Sequence, residues 1–350
     1  MRKDGQIIGA VGLSNSECLR VGIVFVGIGL ATVIGFVASS IVGNMSVLLA
    51  GLGIVAYVFG LRHGVDADHI AAIDNTTRKL MLESDPPFTV GLWFSLGHST
   101  IVIALIVGLV FLTRAIIGHI PMLQQAGAIV GTAASGVFLW IIGVVNLAIV
   151  FSIYRVFKEI KKGVMKNDEL EALLDNRGIL NRFFHPLFKI VKRPWHMYPI
   201  GVLFGLGFDT ATEVALIAIS VGIGVSSSIP FWMILILPFM FTCGMVLVDT
   251  SDGLAMRLAY GWAFLNPMRK IYYNLTVTMI SVLVALAIGT VELLQVFALE
   301  FGLAGEFWVW ITALDFETLG FGIVLIFVLS WLISAAVWKH GQFGRSTWNA

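Results

Sequence analysis

The chain has 350 residues, of which 58% are hydrophobic and 12% are charged, and its formal net charge is +1. A soluble domain usually carries about 25% charged residues, so this chain lacks the charge needed to cover a water-exposed surface. With a mean hydropathy of +0.93, it is also far too hydrophobic for a disordered chain. The composition therefore predicts an all-α integral membrane protein that forms a single polytopic membrane domain over residues 1–350.

Apolar segments of about 20 residues, the length that crosses a bilayer as a helix, recur along the chain. The stretch between Arg20 and Arg62 contains no Asp, Glu, Lys or Arg and is long enough for two spans, divided at the polar residues 43–46. In total we predict eight transmembrane helices, at about 21–42, 47–75, 88–112, 128–153, 197–222, 230–256, 271–290 and 319–338.

The distribution of basic residues predicts the orientation, because cytoplasmic loops carry an excess of Lys and Arg. If both termini are cytoplasmic, 20 of the 22 basic residues fall on the inner side, and ten of them lie in the basic cytoplasmic loop 154–196. The predicted outer segment 291–318 carries five acidic residues and no basic one. We therefore expect a multi-pass protein of the cytoplasmic (inner) membrane, with both termini in the cytoplasm.

Ionisable side chains within the predicted spans mark the functional region, since a charge at the bilayer centre costs about 2.5–3.5 kcal/mol. The acidic residues there are Asp66, Asp68, Asp74, Asp209, Glu213, Asp249 and Asp252, and they are accompanied by His63, His69, His98 and Arg62. A single basic side chain leaves most of these carboxylates uncompensated. Either several are protonated, or a bound cation supplies the missing positive charge.

The densest cluster of such residues lies in segment 62–70 of the second span. On a regular helix His63, Asp66 and His69 share one face, whereas Asp68 points elsewhere unless the helix is broken, and Gly64 is a plausible breaking point. Imidazole together with carboxylate suits Ni²⁺, Co²⁺, Zn²⁺ or Mn²⁺ better than Cu⁺, Mg²⁺ or Ca²⁺. We predict metal ligation here; the alternative is a polar network that only fixes helix packing.

The predicted ligands are therefore His63, Asp66, Asp68 and His69, joined by His98 from the middle of the third span. The fifth span places Asp209 and Glu213 four residues apart, and the sixth places Asp249 and Asp252 three residues apart. We expect these residues to form the transport path or to support the ligands, together with Arg62, Thr210 and Thr250. The alternative is that the carboxylates cap or bridge helices.

Two short internal similarities suggest a repeat. Residues 64–67 (Gly-Val-Asp-Ala) resemble 207–210 (Gly-Phe-Asp-Thr), and residues 94–97 (Phe-Ser-Leu-Gly) resemble 241–244 (Phe-Thr-Cys-Gly). Spans 2 and 5 run in opposite directions, as do spans 3 and 6, so an inverted repeat around a shared central site is possible, as in many secondary transporters. The glycine pairs Gly127/Gly131 and Gly201/Gly205 predict close helix packing.

At four segments the chain resembles the nickel/cobalt transporter family, of the high-affinity nickel permease type. The family signature, a histidine followed after four residues by Asp-His, is matched by His63, Asp68 and His69. The family pattern ending in Gly-His-Ser-Thr is matched at 96–100, Leu-Gly-Phe-Asp-Thr-Ala-Thr-Glu at 206–213, and Gly-Met-x-x-x-Asp-Thr-x-Asp at 244–252. Gly64 is a departure, since the family usually has Ala there.

The resemblance implies uptake of Ni²⁺, Co²⁺ or both into the cytoplasm, with His63, Asp68 and His69 essential. We expect a secondary carrier with alternating access, whose partners are the metal ion and the lipid bilayer, with no other cofactor, no nucleic acid and no enzymatic activity. The chain contains no phosphate-binding loop, which argues against a built-in ATPase, and nothing in the sequence indicates an obligatory ATPase subunit. Two alternatives remain: a nickel/cobalt exporter of the same superfamily, and, with less support, an intramembrane metalloenzyme.

Overall fold

The computed structural model describes residues 13–43, 47–81, 87–116, 120–161, 191–207, 211–226, 230–263 and 267–340. All regular secondary structure in these ranges is helical, as the composition predicts. The helices are α1 (Asn15–Gly43), α2 (Val47–His63), α3 (Ala67–Met81), α4 (Val90–Ile116), α5 (Ile120–Lys161), α6 (Met197–Phe204), α7 (Ala211–Ser226), α8 (Phe231–Ile234), α9 (Ile236–Ala263), α10 (Pro267–Phe301), α11 (Glu306–Thr312) and α12 (Phe316–His340).

Five helical segments among the described residues are long and apolar enough to cross a membrane. The pair α11 and α12, bent by 73° at a short break, makes a sixth if it counts as one span. The predicted second and fifth spans are each interrupted, so neither meets that length, and the number eight stays a prediction. Most of the basic loop 154–196 lies outside the described residues.

The second span breaks where the sequence allowed it to, at residues 64–66. The amides of Val65 and Asp66 bond back three residues, to the carbonyls of Arg62 and His63, which closes α2 with a tight turn. The amide of Ile70 then bonds to the carbonyl of Asp66 and starts α3. Asp66 and Asp68 thus lie at the positive end of α3, where the helix dipole favours negative charge.

Helix α3 occupies the interior of the protein and packs against α4, α5, α9, α10 and α12. It is the most polar of the long helices, yet it is buried from Ala67 almost to its end. Helix α1, in contrast, is apolar on all sides and largely exposed, as suits a helix that faces lipid. The polar helix is therefore surrounded by apolar ones, and the site lies at its N-terminal end.

Glycines let the helices around this end approach each other closely. A Cβ at Gly201 would lie 2.0 Å from the Phe94 carbonyl oxygen, and one at Gly205 would lie 2.7 Å from the His98 carbonyl oxygen. The predicted packing role of Gly201 and Gly205 is confirmed, and it places α6 directly against the part of α4 that carries His98. A Cβ at Gly320 would likewise meet the Val65 carbonyl oxygen at 1.7 Å, so α12 lies against the turn between α2 and α3.

Candidate metal centre

Three buried histidines converge where α2, α3 and α4 meet. One ring nitrogen each of His63, His69 and His98 lies within 4.8 Å of the other two, and the Nε2 atoms of His63 and His98 are 3.1 Å apart. Glu213 joins them from α7, with its Oε1 atom 2.6 Å from His98 Nε2 and 3.7 Å from His63 Nε2. We call these four residues the central group.

These distances suit a divalent transition metal. An ion that holds imidazole nitrogen and carboxylate oxygen at about 2.1 Å keeps adjacent ligand atoms about 3.0–3.4 Å apart, which small side-chain movements reach from the observed positions. Three imidazoles and one carboxylate are borderline ligands, suited to nickel, cobalt or zinc. The donor set therefore fits the class of cation predicted from the sequence.

The break between α2 and α3 brings two of the three histidines together. His63 is the last residue of α2 and His69 is in the first turn of α3, and their ring centroids are 4.7 Å apart at 72°. His98 comes from the first third of α4, and its ring centroid lies 5.0 Å from that of His69. The convergence thus depends on a turn between two helices, rather than on the one continuous helical face considered from the sequence.

A carboxylate on α9 orients the ring of His69. The Nδ1 atom of His69 lies 3.2 Å from Asp249 Oδ2, and the Ser95 hydroxyl donates to the same oxygen at 2.5 Å. Because a carboxylate accepts the proton on Nδ1, the Nε2 atom of His69 presents its lone pair, and that atom is buried without a hydrogen-bond partner. A carboxylate behind a metal-binding imidazole fixes its tautomer in this way.

Two aromatic rings form apolar walls beside the imidazoles. The ring centroid of Phe94 lies 4.7 Å from that of His69, and the ring centroid of Phe241 lies 5.4 Å from that of His63. Both phenylalanines are fully buried. A low-dielectric surrounding strengthens the attraction between a cation and its carboxylate.

A second set of potential ligand atoms adjoins the first. One atom each of His63, Asp66 and Glu317 lies within 4.8 Å of the others, and all three residues are buried. Glu317 comes from the first turn of α12, where the Thr212 hydroxyl donates to its Oε1 at 2.7 Å and Arg62 forms an ion pair with its Oε2. We call His63, Asp66 and Glu317 the flanking group.

The other predicted site residues belong to neither group. Asp68 accepts a hydrogen bond from the His69 amide at 2.8 Å and belongs to neither group. Thr250 and Asp252 follow Asp249 on α9, where Thr250 is buried. Asp209 and Thr210 lie outside the described residues.

The expectation that Arg62 is the single basic residue among the buried carboxylates needs correction. Arg62 itself pairs with Glu317, a residue of the predicted outer segment that is only 1% exposed. Arg78, counted on the cytoplasmic side, is also buried; it lies 4.0 Å from Asp74 and donates to Thr278 and Ser281 on α10. Arg62 is therefore not the only basic residue that compensates a carboxylate in the interior.

Sequence reasoning missed Ser95 and Glu317 as site residues. Ser95 precedes His98 by three positions, so helical spacing was a signal that could have placed it on the same face. Glu317 carried no such signal, since it follows a segment with four other acidic residues. Its position depends on the bend between α11 and α12.

A family model described as "High-affinity nickel-transport protein" (NicO) matches residues 49–337. The chain is 48% identical over 310 residues to the nickel transporter NixA of Staphylococcus aureus, covering 89% of this chain and 91% of that protein. It is 46% identical over 341 residues to the nickel transporter NicT of Mycobacterium tuberculosis (94% and 91%), and 33% identical over 294 residues to the cobalt transport protein NhlF of Rhodococcus rhodochrous (83% of each). No solved structure matches the chain.

Proposed function

The chain belongs to the NicO family of high-affinity nickel-transport proteins, and from that premise we propose that it is a secondary transporter that takes up Ni²⁺, Co²⁺ or both across the cytoplasmic membrane. The observation that carries the proposal is the convergence of three buried imidazoles and the Glu213 carboxylate at the centre of a multi-pass helical protein. The cation is the substrate, and the central group is its binding site.

The ligand set supports a borderline transition metal over a hard cation. Neutral imidazole nitrogens replace much of the water around Ni²⁺ or Co²⁺, whereas Mg²⁺ and Ca²⁺ prefer oxygen ligands. Glu213 supplies negative charge to balance the cation. Asp249 holds the Nδ1 side of the His69 ring, so that the Nε2 atom of His69 points away from Asp249. Binding requires neutral imidazole and ionised carboxylate, so metal binding is linked to proton release, and this linkage is a route to proton-coupled transport.

Alternating access is supported by a pair of equivalent helix contacts, as an inverted repeat of spans 2–3 and 5–6 requires. Helix α2 packs on α9 through Gly60 against the Phe241 carbonyl and Gly244 against the Tyr57 carbonyl. Helix α6 packs on α4 in the same way, and the contacts there are Gly201 against the Phe94 carbonyl and Gly97 against the Tyr198 carbonyl. In both cases a Tyr-x-x-Gly helix meets a Phe-x-x-Gly helix.

The equivalence extends to the broken ends of the two helices. A Cβ at Gly64 would contact Val248 Cβ and the Met245 carbonyl, just as one at Gly205 would contact Ile101 Cβ and the His98 carbonyl. Both helices end one residue before these glycines, α2 at His63 and α6 at Phe204. Two similar interfaces flanking one site are the arrangement in which opening one and closing the other moves a cation across the membrane.

The proposed direction is inward, through a membrane protein with cytoplasmic termini and no obligatory ATPase subunit. The named functions of the relatives, nickel and cobalt transport, are consistent with a metal-ion substrate. An exporter built on the same site would bind the same cations, so direction has to be measured.

The test is accumulation of radioactive nickel at nanomolar concentration in cells that express the chain, compared with an empty vector and with the His63→Ala variant. We expect nickel uptake in cells with the wild-type chain, competition by cobalt, and loss of uptake in the variant. Depletion of cell nickel below the empty-vector level would make the protein an exporter. No change, with the protein present in the membrane at normal levels, would overturn transport of nickel.

A further inference from the structure

The imidazole of His63 lies between two sets of ligand atoms, one at each ring nitrogen. Its Nε2 atom is 3.1 Å from His98 Nε2 and 3.7 Å from Glu213 Oε1, in the central group. Its Nδ1 atom is 3.1 Å from Asp66 Oδ2, in the flanking group that Glu317 completes. No other residue belongs to both groups within the described part of the chain.

We propose that the flanking group, His63, Asp66 and Glu317, is a second cation site that passes the transported divalent metal to or from the central group by way of the shared His63 ring. The inference rests on the proposed function, since it adds a step to the same transport path. A donor set of one imidazole and two carboxylates binds the same borderline cations, but it offers fewer nitrogen ligands than the central group.

The two sites cannot be filled at once while His63 is neutral. A neutral imidazole has one nitrogen with a free lone pair and one that carries a proton, so it binds a metal from one side only. A cation at Asp66 and Glu317 uses Nδ1, and a cation at His69, His98 and Glu213 uses Nε2. The two sites therefore hold one ion between them, in either of two adjacent positions.

The Arg62–Glu317 ion pair supports this assignment. Glu317 is 1% exposed and is held by the Thr212 hydroxyl at 2.7 Å, whereas the side chain of Arg62 is 49% exposed. A buried carboxylate needs a positive partner, and here the partner is the more exposed and more flexible side chain. Arg62 thus occupies the place of a cation at Glu317, and an entering metal ion replaces it.

Glu317 belongs to the acidic segment 291–318, which is predicted to lie on the outer side, so we place the flanking group on the outer side of the central group. In the proposed inward direction it receives the ion first. Loss of the flanking group should therefore weaken capture of dilute metal while leaving transport at high metal concentration, because the central group remains intact.

The test compares nickel uptake over a wide concentration range for Glu317→Gln, for Thr212→Val and for the control Glu300→Gln, an exposed carboxylate of α10 outside both groups. We expect Glu317→Gln to raise the apparent KM about ten-fold or more with a maximal rate near wild type, and Thr212→Val to act in the same direction with a smaller effect. If Glu317→Gln does not reach the membrane at wild-type levels, the apparent KM of Thr212→Val is the test of the flanking site.

Equilibrium dialysis of the purified wild-type protein with nickel gives the second readout. One ion per chain at saturation is expected, and two would overturn the shared-ring mechanism. The proposal of a flanking site is overturned if both variants have the same KM as Glu300→Gln, or if either variant loses uptake even at saturating nickel. Neither result contradicts the central site. If the wild-type chain neither binds nor accumulates nickel, both proposals fall.

Discussion

At the scale of single residues, each imidazole of the central group has a different environment. His69 has an orienting carboxylate in Asp249, His98 lies against Glu213, and His63 has a carboxylate beside each ring nitrogen. Because a metal-binding imidazole works only when its lone pair faces the ion, the residues that set ring orientation matter almost as much as the ligands.

Asp249→Asn tests the orienting role of Asp249. The substitution keeps the size of the side chain but removes the charge that holds the Nδ1 proton of His69, so we expect nickel affinity to fall about ten- to a hundred-fold. The measurement is nickel binding to purified protein beside the apparent KM of uptake. Glu300→Gln is again the matched control, and an unchanged affinity in Asp249→Asn would show that His69 is oriented by other contacts.

At the scale of helices, the site depends on breaks and on close crossings. Helix α2 has to end at His63 for α3 to start with His69 beside it, and the glycines of α2 and α6 bring both helices within backbone contact of α9 and α4. The spacing of small residues in the sequence therefore has a direct geometric consequence, since it positions His98 against the broken helices.

Gly201→Ala tests the α4–α6 crossing. Its Cβ would lie 2.0 Å from the Phe94 carbonyl oxygen, a backbone atom that cannot rotate away. We expect a loss of about 1–3 kcal/mol of stability and a loss of uptake, because His98 is displaced along with α4.

The matched control for this crossing is Gly29→Ala on α1, where a Cβ would have nothing within 4 Å. That substitution should be neutral or slightly stabilising, since Ala favours a helix over Gly by about 1 kcal/mol. Thermal unfolding of the detergent-solubilised Gly201→Ala and Gly29→Ala variants measures their stability, and uptake measures their activity. Gly60→Ala, at the equivalent α2–α9 crossing, should resemble Gly201→Ala; a harmless Gly60→Ala would contradict the equivalence of the two interfaces.

At the scale of the whole molecule, the protein encloses a polar helix in apolar ones. Helix α3 carries buried Asp74, Asn75 and Arg78, which contact one another or polar groups on α5 and α10, such as Asn146 and Ser281. Polar side chains in a membrane interior persist when they meet each other. The buried polar side chains of α3 therefore hold it against α5 and α10.

The orientation of the molecule is testable with single cysteines in a background from which Cys18 and Cys243 are removed. Ala304 lies exposed between α10 and α11, on the predicted outer side, and Lys192 lies exposed before α6, on the predicted inner side. We expect a membrane-impermeant maleimide to label Ala304→Cys in intact cells, and Lys192→Cys only after permeabilisation. The reverse pattern would place the flanking group on the cytoplasmic side and invert the order of the two sites.

Properties that belong to local sequence could be predicted well. The low charge content indicated a membrane protein, Gly64 marked the break in the second span, and the glycine pair at 201 and 205 predicted a close crossing. The polar residues of segment 62–70 identified His63, Asp66 and His69 as neighbours, because side chains a few positions apart stay close whether a helix continues or turns.

The tertiary structure decided which distant side chains complete the site. Glu213 lies beside the imidazoles, 115 positions from its partner His98, and Glu317 reaches Arg62 and Asp66 through the bend before α12. Hydropathy and helical spacing describe each segment by itself, whereas these contacts depend on how separate helices cross. Whether an acidic residue faces water or a buried cation site is therefore determined by the packing of the helices around it.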